Sequence, residues 1–373
     1  MCLKKILLFC LLSGAFELYA FRPLLYELPP LSRAVGVDDL TIIDPTRNDP
    51  HSEETLKREL ELRLWFPAVD DPAQEIAQWG FDKRSTIIAE LADEKGLPHL
   101  LVDFLYPQVS RSKENLRATA GKHPVVFLLH GLGGGTVEEH TALAEGLAAA
   151  GYFVIGIDFP FGALVAKVTQ LGSVVKKSAR LADLIYRYPA SRPEITEYRK
   201  SEHNLWVEDL LFLTRTLPLL KDARFKSIDW DKLAIIGHSH GGMVALDSCL
   251  KVKNCQASVN MDGWTRGIEF PRDVKNHLLV FAPSTQDDAS GVSFRNFCSG
   301  RQNCQALEIK NCDLGHAGFS DMIYLRWPLS YITKNKCGKK SLETAQVIQD
   351  KILTFLKGSQ LHARNLPINY YCK

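Results

Sequence analysis

One hexapeptide, Gly237–Gly242 (GHSHGG), has the residue pattern with the most distinctive chemistry in the chain. It follows the apolar run Leu233–Ile236 and precedes Met243–Leu246, a stretch with helical character. Between a strand and a helix, G-x-S-x-G is typical of a turn so tight that only small residues fit beside the serine, whose hydroxyl is exposed. A glycine-rich structural turn is the alternative, but the flanking elements favour catalysis. The pattern therefore predicts that Ser239 is a nucleophile.

A serine hydroxyl is a weak nucleophile at neutral pH and needs a base within hydrogen-bond reach. Two histidines follow Ser239 at a useful distance: His277, at the start of an apolar run, and His316, in the glycine-flanked loop Asp313–Gly318. Such a loop can carry an imidazole over the serine, whereas a histidine at a strand start more often decorates that strand. We therefore predict that His316 is the general base.

Three aspartates could supply the carboxylate that holds this imidazole in one tautomer. Asp262 directly follows the apolar run Ala257–Met261, and Asp287 and Asp288 follow the next apolar run. Each could also be a solvated turn residue. Spacing alone leaves the choice open between Asp262 and the later pair.

Two backbone amides are candidates for binding the oxyanion that attack by serine would form. One is the amide of His240, directly after the nucleophile, and the other is the amide of Leu132, in the glycine-rich segment His130–Gly135. No metal site is predicted, because His238 and His240 flank the serine and should point apart, and the chain has no C-x-x-C pattern.

Apolar runs alternate with helical segments along the chain. This alternation predicts an α/β fold with a mostly parallel central sheet flanked by helices, whose active site lies at the carboxyl ends of the strands. The predicted strands are Leu60–Phe66, Val125–Leu129, Phe153–Ile157, Leu233–Ile236, Ala257–Met261, Leu278–Ala282 and Leu307–Ile309; helices are predicted after a capping box at Thr136, around Leu205–Leu213 and over Ser341–Lys357, with Gly358 as the stop.

The chain divides into a leader, an arm and one domain. Residues 1–20 have a basic start, a short apolar run and small residues at a plausible cleavage point, which predicts a signal peptide and an exported protein. Residues 21–58 are aperiodic and predict a surface-wrapping arm. Residues 59–373 predict a single domain, irregular between 68 and 120 apart from a candidate short element over Leu100–Tyr106.

Residues 164–200 are a candidate cap or lid. Leu164, Val168, Leu171 and Val175 recur at helical spacing. The basic residues nearby are Lys176, Lys177, Arg180 and Arg187. This pattern predicts a helix packed on the core. The alternative is a basic amphipathic element over the site or on a lipid surface.

Composition is that of a globular protein: 46% of the 373 residues are hydrophobic, which is enough to build a core. A formal net charge of +2 without long blocks of like charge argues against a nucleic-acid partner. Seven of the nine cysteines follow residue 20, so in an oxidising compartment at least one has no partner within the chain. Cys249 with Cys255, and Cys298 with Cys304, are close enough to close small loops.

Several motifs, in this order, resemble the platelet-activating-factor acetylhydrolases of the secreted, isoform II type. The resemblance covers roughly residues 58–330, and its most specific parts are the aspartate-tryptophan and histidine-phenylalanine-aspartate motifs. The motifs are LRLWFP at 62–67, HGLG at 130–133, GHSHGG at 237–242, NMDGW at 260–264 and HAGFSD at 316–321.

The resemblance implies an α/β-hydrolase fold and cofactor-free hydrolysis of short or oxidised sn-2 acyl groups on phospholipids. It also implies that Asp262 is the acid and that Leu132 supplies the second oxyanion amide. His240 is a departure, since the family often has phenylalanine there, and this leaves the preferred acyl chain length open.

We expect an exported, secreted or periplasmic serine esterase that hydrolyses the sn-2 acetyl ester of phospholipids such as platelet-activating factor. Its partner would be a small-molecule or lipid ester, with peripheral contact to a membrane surface. One alternative is a general carboxylesterase, lipase or polyester hydrolase of the same fold. Another is a non-catalytic relative that binds a ligand, although the intact serine, histidine and acid candidates argue against it.

Overall fold

The computed structural model describes residues 26–52, 55–96, 98–105, 110–187, 193–263, 277–283, 297–299, 303–309, 312–326, 330 and 336–360. The predicted signal peptide and Cys372 lie outside these residues. The strands are β1 (Val35–Asn48), β2 (Lys57–Pro67), β3 (His123–Leu129), β4 (Phe153–Asp158), β5 (Val165–Val168), β6 (Ser173–Lys176), β7 (Ile228–His238), β8 (Cys255–Met261), β9 (His277–Pro283) and β10 (Cys304–Ile309). The helices are α1 (Arg84–Lys95), α2 (His99–Leu105), α3 (Thr141–Ala149), α4 (Ala179–Arg187), α5 (Pro193–Thr216), α6 (His240–Lys251) and α7 (Ser341–Gln360).

A single eight-stranded sheet, in the order β1-β2-β4-β3-β7-β8-β9-β10, organises the described residues. The strands from β4 to β10 along this order pair in parallel, whereas β1 with β2, and β2 with β4, are antiparallel. The predicted mostly parallel sheet flanked by helices is therefore confirmed.

Both faces of the central strands are covered, which explains their continuous apolar runs. Along β3, Val125, Phe127 and Leu129 face one core, which α5 and α6 complete. The alternate residues Val126 and Leu128 face the other core, which α3 and α7 complete. Because side chains alternate along a strand, one uninterrupted apolar run supplies both cores.

The expectation that residues 21–58 form an aperiodic arm is wrong for residues 35–48. These residues form β1, which pairs antiparallel with β2 from Val35 opposite Pro67 to Asp44 opposite Arg58. As an edge strand, β1 has one neighbour in the sheet and several exposed or half-buried positions. Its mixed polarity therefore hides it from a search for apolar runs.

The helix predicted around Leu164–Val175 is also wrong. Residues 165–176 form an antiparallel hairpin of β5 and β6, with Gly172 at φ +61° in the connection, and α4 begins only at Ala179. Val165 and Ala166 are buried as well as Leu164 and Val168. The helical spacing was therefore incidental to a short β-branched segment, which strands accommodate well.

Other local predictions differ at element ends. The segment 68–120, expected to be irregular apart from a short element over Leu100–Tyr106, contains α2, which overlaps that element, and also α1, which was not predicted. Thr136 makes no capping hydrogen bond with its side chain, and a 3-10 turn over Val137–His140 precedes α3. Helix α7 continues through Gly358 to Gln360. Packing against the sheet evidently outweighs these weak local stop signals.

Three disulfides join described cysteines: Cys249–Cys255, Cys298–Cys304 and Cys312–Cys337. The first two are the small loops that spacing suggested. Such bonds persist in oxidising compartments, so they are consistent with an extracellular protein. Among the described helices, none is long and apolar enough to cross a membrane.

A buried cation joins the sheet to α5. The Arg58 guanidinium on β2 is fully buried and donates hydrogen bonds to Asp209 on α5 (2.7 Å) and to Asp49 (2.7 Å). The two carboxylates offset the cost of burying the charge. Removing one partner of such a pair is costly because the other charge remains buried.

We expect Arg58→Met to lower the free energy of unfolding by about 3–5 kcal/mol, because Asp49 and Asp209 would be left without their shared cation. Denaturant unfolding measures the change. Arg58→Met/Asp49→Asn, which removes one of the stranded charges, should recover part of the loss. Equal stability of Arg58→Met and the parent would contradict this account.

Candidate active site

The turn at Ser239 has the conformation that the hexapeptide predicted. Strand β7 ends at His238, α6 begins at His240, and Ser239 between them has φ 55° and ψ −124°. A Cβ atom on Gly237 would collide with the Gly241 carbonyl, and one on Gly241 would collide with the His130 carbonyl. The glycines are therefore required by contact, and they hold a non-glycine residue in a strained conformation that costs about 1–3 kcal/mol.

Three side chains form a hydrogen-bonded chain at this turn. His316 Nε2 lies 2.9 Å from Ser239 Oγ, and His316 Nδ1 lies 2.5 Å from Asp262 Oδ2. The His316 side chain is 49% exposed, whereas Asp262 is 1% exposed. The buried Asp262 carboxylate can therefore fix the imidazole tautomer by accepting a hydrogen bond from Nδ1, while Nε2 accepts the serine proton.

The structure thus brings Asp262, His316 and Ser239 together. Asp287 and Asp288, the alternative acids, lie outside the described residues, as does Trp264 of the motif. His277 begins β9, as expected. That position is at the opposite end of the strand from the carboxyl edge where a site in a parallel sheet forms.

Asn260 shapes the turn that presents Asp262, and the search for catalytic residues did not single it out. Its buried side chain accepts a hydrogen bond from the Gly263 N–H (2.6 Å) and donates one to the Gly263 carbonyl (3.1 Å). Asp262 consequently has φ +54°. The tendency of asparagine to bond to nearby backbone in turns is the signal that could have found it.

The same turn is joined directly to the nucleophile. The Ser239 N–H donates to the Met261 carbonyl (2.9 Å), and a Cβ on Gly263 would collide with the Ser239 carbonyl. The turn that carries Asp262 and the turn that carries Ser239 are therefore packed together, which limits movement of these two residues relative to each other.

His238 supports the base from below. Its Nε2 donates to the His316 carbonyl (3.0 Å), and the two ring centroids are 4.7 Å apart. Burial lowers the pKa of His238 well below its usual value, so this ring stays neutral. A neutral neighbour does not repel the imidazolium that forms on His316 when it takes a proton.

Asp321 attaches the base-bearing loop to the fold. Its buried carboxylate accepts from the Ala142 N–H at the start of α3 (3.2 Å), where helix amides have no acceptor within the helix. Burial raises the pKa of Asp321 well above its usual value. The aspartate of the HAGFSD motif is thus a helix cap in the structure.

The segment expected to supply an oxyanion amide lies against the nucleophile. A Cβ built on Gly131 would lie only 3.1 Å from Ser239 Cβ. The backbone of this segment can therefore approach the serine closely because residue 131 has no side chain. Leu132 is the next residue in this turn, and His240 is the first residue of α6. The Leu132 and His240 amides therefore each belong to the residue that follows the Gly131–Ser239 contact. The His240 amide, at the start of α6, has no acceptor within the helix, because the first amides of a helix have none.

Two of the histidines near Ser239 are packed against an aromatic side chain. His130 packs on Trp206, with ring centroids 5.1 Å apart, and His240 meets the same indole edge-on at 4.9 Å. Burial lowers the pKa of His240 well below its usual value. Among the described residues, no group of three or more His, Cys, Asp or Glu side chains has a metal-binding arrangement.

The chain is similar to a known family over the part that carries these residues. The family model for platelet-activating factor acetylhydrolase, isoform II, matches residues 211–367, which include Ser239, Asp262 and His316. The resemblance seen in the motifs is thereby confirmed over that stretch. No curated protein sequence matches the chain.

One of the solved structures similar to this chain, an esterase, shares its fold. A ferulic acid esterase from Streptomyces cinnamoneus superposes with a TM-score of 0.67 at 20% identity, covering 88% of this chain and 91% of that chain. A dienelactone hydrolase-like promiscuous phosphotriesterase from metagenomic libraries has a TM-score of 0.48 at 12% identity, covering 87% of this chain and 99% of that chain. The fold is that of the α/β hydrolases.

The position of Asp262 predicts its effect on turnover. Asp262→Asn should lower kcat for p-nitrophenyl acetate by about 10³- to 10⁴-fold with little change in KM, because the amide favours the wrong imidazole tautomer. Steady-state kinetics on variants of matched stability measures this. Asp287→Asn and Asp288→Asn serve as controls, and a larger loss in either would transfer the role of acid to the later loop.

Proposed function

We propose that this chain, which resembles the isoform II platelet-activating factor acetylhydrolases, is a serine esterase that forms an acyl-enzyme on Ser239. The observation that carries the proposal is the hydrogen-bonded chain from Ser239 through His316 to Asp262 on a strained strand-to-helix turn. A serine, a base and an orienting acid at these distances form the constellation that activates a hydroxyl for acyl transfer.

In the first half-reaction, His316 Nε2 accepts the Ser239 proton while Oγ attacks the ester carbonyl carbon. The carbonyl oxygen becomes an oxyanion, which the His240 and Leu132 amides would bind. The intermediate collapses as the carbon–oxygen bond to the alcohol breaks and His316 returns its proton to that alcohol. Water then attacks the acyl-enzyme by the same steps and releases the acid.

The surroundings of His316 suit a residue that must change charge twice in each cycle. Its outer edge is open to solvent and substrate, its inner nitrogen faces a buried carboxylate, and its other neighbour, His238, is kept neutral by burial. The imidazolium of His316 is therefore stabilised by the Asp262 carboxylate, and the neutral His238 ring beside it does not repel it.

The substrate we propose is a phospholipid with a short sn-2 acyl group, of which platelet-activating factor is the type. Support comes from the motif resemblance and from the family match over residues 211–367. His240 lies where the family often has phenylalanine, and its neutral ring packs on Trp206 beside the nucleophile. A ring of similar size there is compatible with a small acyl pocket.

A general carboxylesterase of the same fold is the second candidate. The half-exposed His316 favours it, because a ring open to solvent is accessible to soluble esters as well as to lipids. The two candidates share the mechanism and differ in the alcohol and acyl groups that they prefer.

The proposed contact with a lipid surface would involve basic residues in and after the β5–β6 hairpin. Two of the basic residues near this segment are paired with acidic residues on α1: Lys176 with Glu90 (2.5 Å) and Lys177 with Glu94 (3.0 Å). Arg180 lies over the Tyr198 ring, 5.4 Å from its centroid. Local pairing reduces the attraction of this hairpin for anionic lipid.

Ser239→Ala should abolish ester hydrolysis while leaving the fold intact, because the attacking oxygen is removed from a turn that already accepts small residues. A fluorophosphonate probe should label Ser239 in the parent and leave the variant unlabelled. Peptide mapping of the adduct identifies the residue. Labelling at another serine, or parental turnover in the variant, would refute the nucleophile assignment.

Substrate preference can be decided by comparing kcat/KM values on purified protein. We expect an sn-2 acetyl phospholipid to be hydrolysed with a higher kcat/KM than phospholipids with long sn-2 chains and than p-nitrophenyl acetate, because remote headgroup contacts add binding energy to the transition state. Ser239→Ala is the blank. A preference for neutral soluble esters would instead establish the general carboxylesterase.

A further inference from the structure

A buried ionic cluster surrounds Lys83, which directly precedes α1. The ammonium is 2% exposed and lies 2.5 Å from Asp158, 2.8 Å from Glu138 and 3.0 Å from Glu61. Arg63 adds a second cation at 3.0 Å from Glu138. The three carboxylates hold the pKa of Lys83 well above its usual value, although burial opposes the charge.

Two of these carboxylates lie next to the turn Gly131–Gly135, which carries the candidate oxyanion amide of Leu132, or next to the segment that packs on this turn. Glu138 follows the turn Gly131–Gly135 by three residues, and Asp158 ends β4, directly before the segment Phe159–Leu164. Glu61 belongs to β2 in the central sheet. Lys83 therefore connects the exit of the turn, the start of the neighbouring segment and the sheet.

The neighbouring segment is bonded to the turn along its length. The Gly133 N–H donates to the Gly162 carbonyl (2.7 Å), and the Leu164 N–H donates to the Gly135 carbonyl (3.0 Å). At the near end, the Asp158 carboxylate accepts from the Val137 N–H (2.8 Å). The position of Leu132 in the turn thus depends on where Asp158 and the segment after it are held.

We propose that Lys83 is a positioning residue for oxyanion stabilisation, because its ammonium holds Asp158 and Glu138 together and so fixes the turn that carries the Leu132 amide. This inference rests on the proposed esterase mechanism. Oxyanion donors act only when they are held at 2.7–3.1 Å from the developing charge, so a small displacement of the turn weakens transition-state binding more than substrate binding.

The Arg58 network provides a matched comparison. Arg58 is also a buried cation on the β2 side of the sheet, and its ionic partners Asp49 and Asp209 lie outside the turn and its supporting segment. Its hydrogen bond to the Pro160 carbonyl in that segment is long (3.4 Å), whereas Lys83 makes short ionic contacts with Asp158 and Glu138. A purely structural role for Lys83 predicts that removing either cation has the same kind of effect. A positioning role predicts a much larger loss of kcat on removal of Lys83 than on removal of Arg58.

The test uses Lys83→Met, which keeps the unbranched apolar stem of the side chain and removes the ammonium. It also uses Lys83→Met/Glu61→Gln, which restores the net charge of the cluster without restoring the link between Asp158 and Glu138. Arg58→Met/Asp49→Asn is the control. For each folded variant we would measure kcat and KM for p-nitrophenyl acetate, the affinity for a phenylboronic acid as a probe of the tetrahedral state, and amide hydrogen exchange over residues 131–135.

We expect both Lys83 variants to lose about 10- to 100-fold in kcat with little change in KM, a smaller effect than the loss of a whole oxyanion donor. Boronic acid affinity should fall in parallel, and exchange at 131–135 should accelerate. The control, which loses only the long hydrogen bond to the Pro160 carbonyl, should keep most of its kcat. Recovery of kcat in the charge-balanced double variant, or an equal loss in the control, would overturn the positioning role.

The two proposals fail separately. If the parent protein hydrolyses no ester and Ser239 resists the fluorophosphonate, the esterase mechanism is wrong, whatever Lys83 does to the turn. If the parent is active and the charge-balanced variant folds with parental kcat, boronic acid affinity and exchange, only the role of Lys83 is wrong. If Lys83→Met does not fold, the charge-balanced variant decides.

Discussion

The site depends on one backbone constraint: Ser239 is held at φ 55° and ψ −124° by contacts that leave no room for a side chain on its neighbours. Gly237 and Gly241 pack on backbone atoms across the turn, Gly131 packs on Ser239 itself, and Gly263 packs on the Ser239 carbonyl. The strain directs the hydroxyl outward, and tertiary packing from three loops sustains it. The nucleophile is thereby fixed before any substrate arrives.

The parallel sheet explains why these loops meet. Strands β3, β7 and β8 are neighbours, and each carries its functional residue just beyond its carboxyl end: the turn with Leu132, then Ser239, then Asp262. His316 comes from the longer loop after β10 and needs more support. His238 holds its carbonyl, and Asp321 attaches the same loop to α3. Residues far apart in sequence therefore reach hydrogen-bond distance without a ligand.

Buried charge is concentrated along β2 and the segments packed on it. Arg58 and Lys83 each occupy a site that burial alone would penalise, and each is stabilised by at least two carboxylates. Such networks add little net stability compared with apolar packing, but they tolerate few alternative arrangements because every charge must keep its partners. This property suits the turn beside the nucleophile, where a defined position is needed.

Local patterns in the sequence determined the nucleophile turn, the central strands and the loop that bears His316. These features depend on neighbouring residues: the tight turn needs small residues beside Ser239, and strands covered on both faces need continuous apolar runs. The fold class follows from their alternation. The motifs were also sufficient to show the family resemblance, which a match over residues 211–367 confirms.

Only the tertiary structure showed that Asp262 lies within hydrogen-bond distance of His316, that residues 35–48 are an edge strand, and that residues 165–176 form a hairpin. It alone revealed Asn260, His238 and Lys83 as supports of the site. The physical reason is that pairing, burial and ionic contacts join residues distant in sequence, as Lys83 does with Asp158, and no local period or spacing encodes them. The polar residues of the edge strand β1 and the lysine at position 83 are residue types that usually lie on a protein surface. Only the segments packed against them determine which of them are buried.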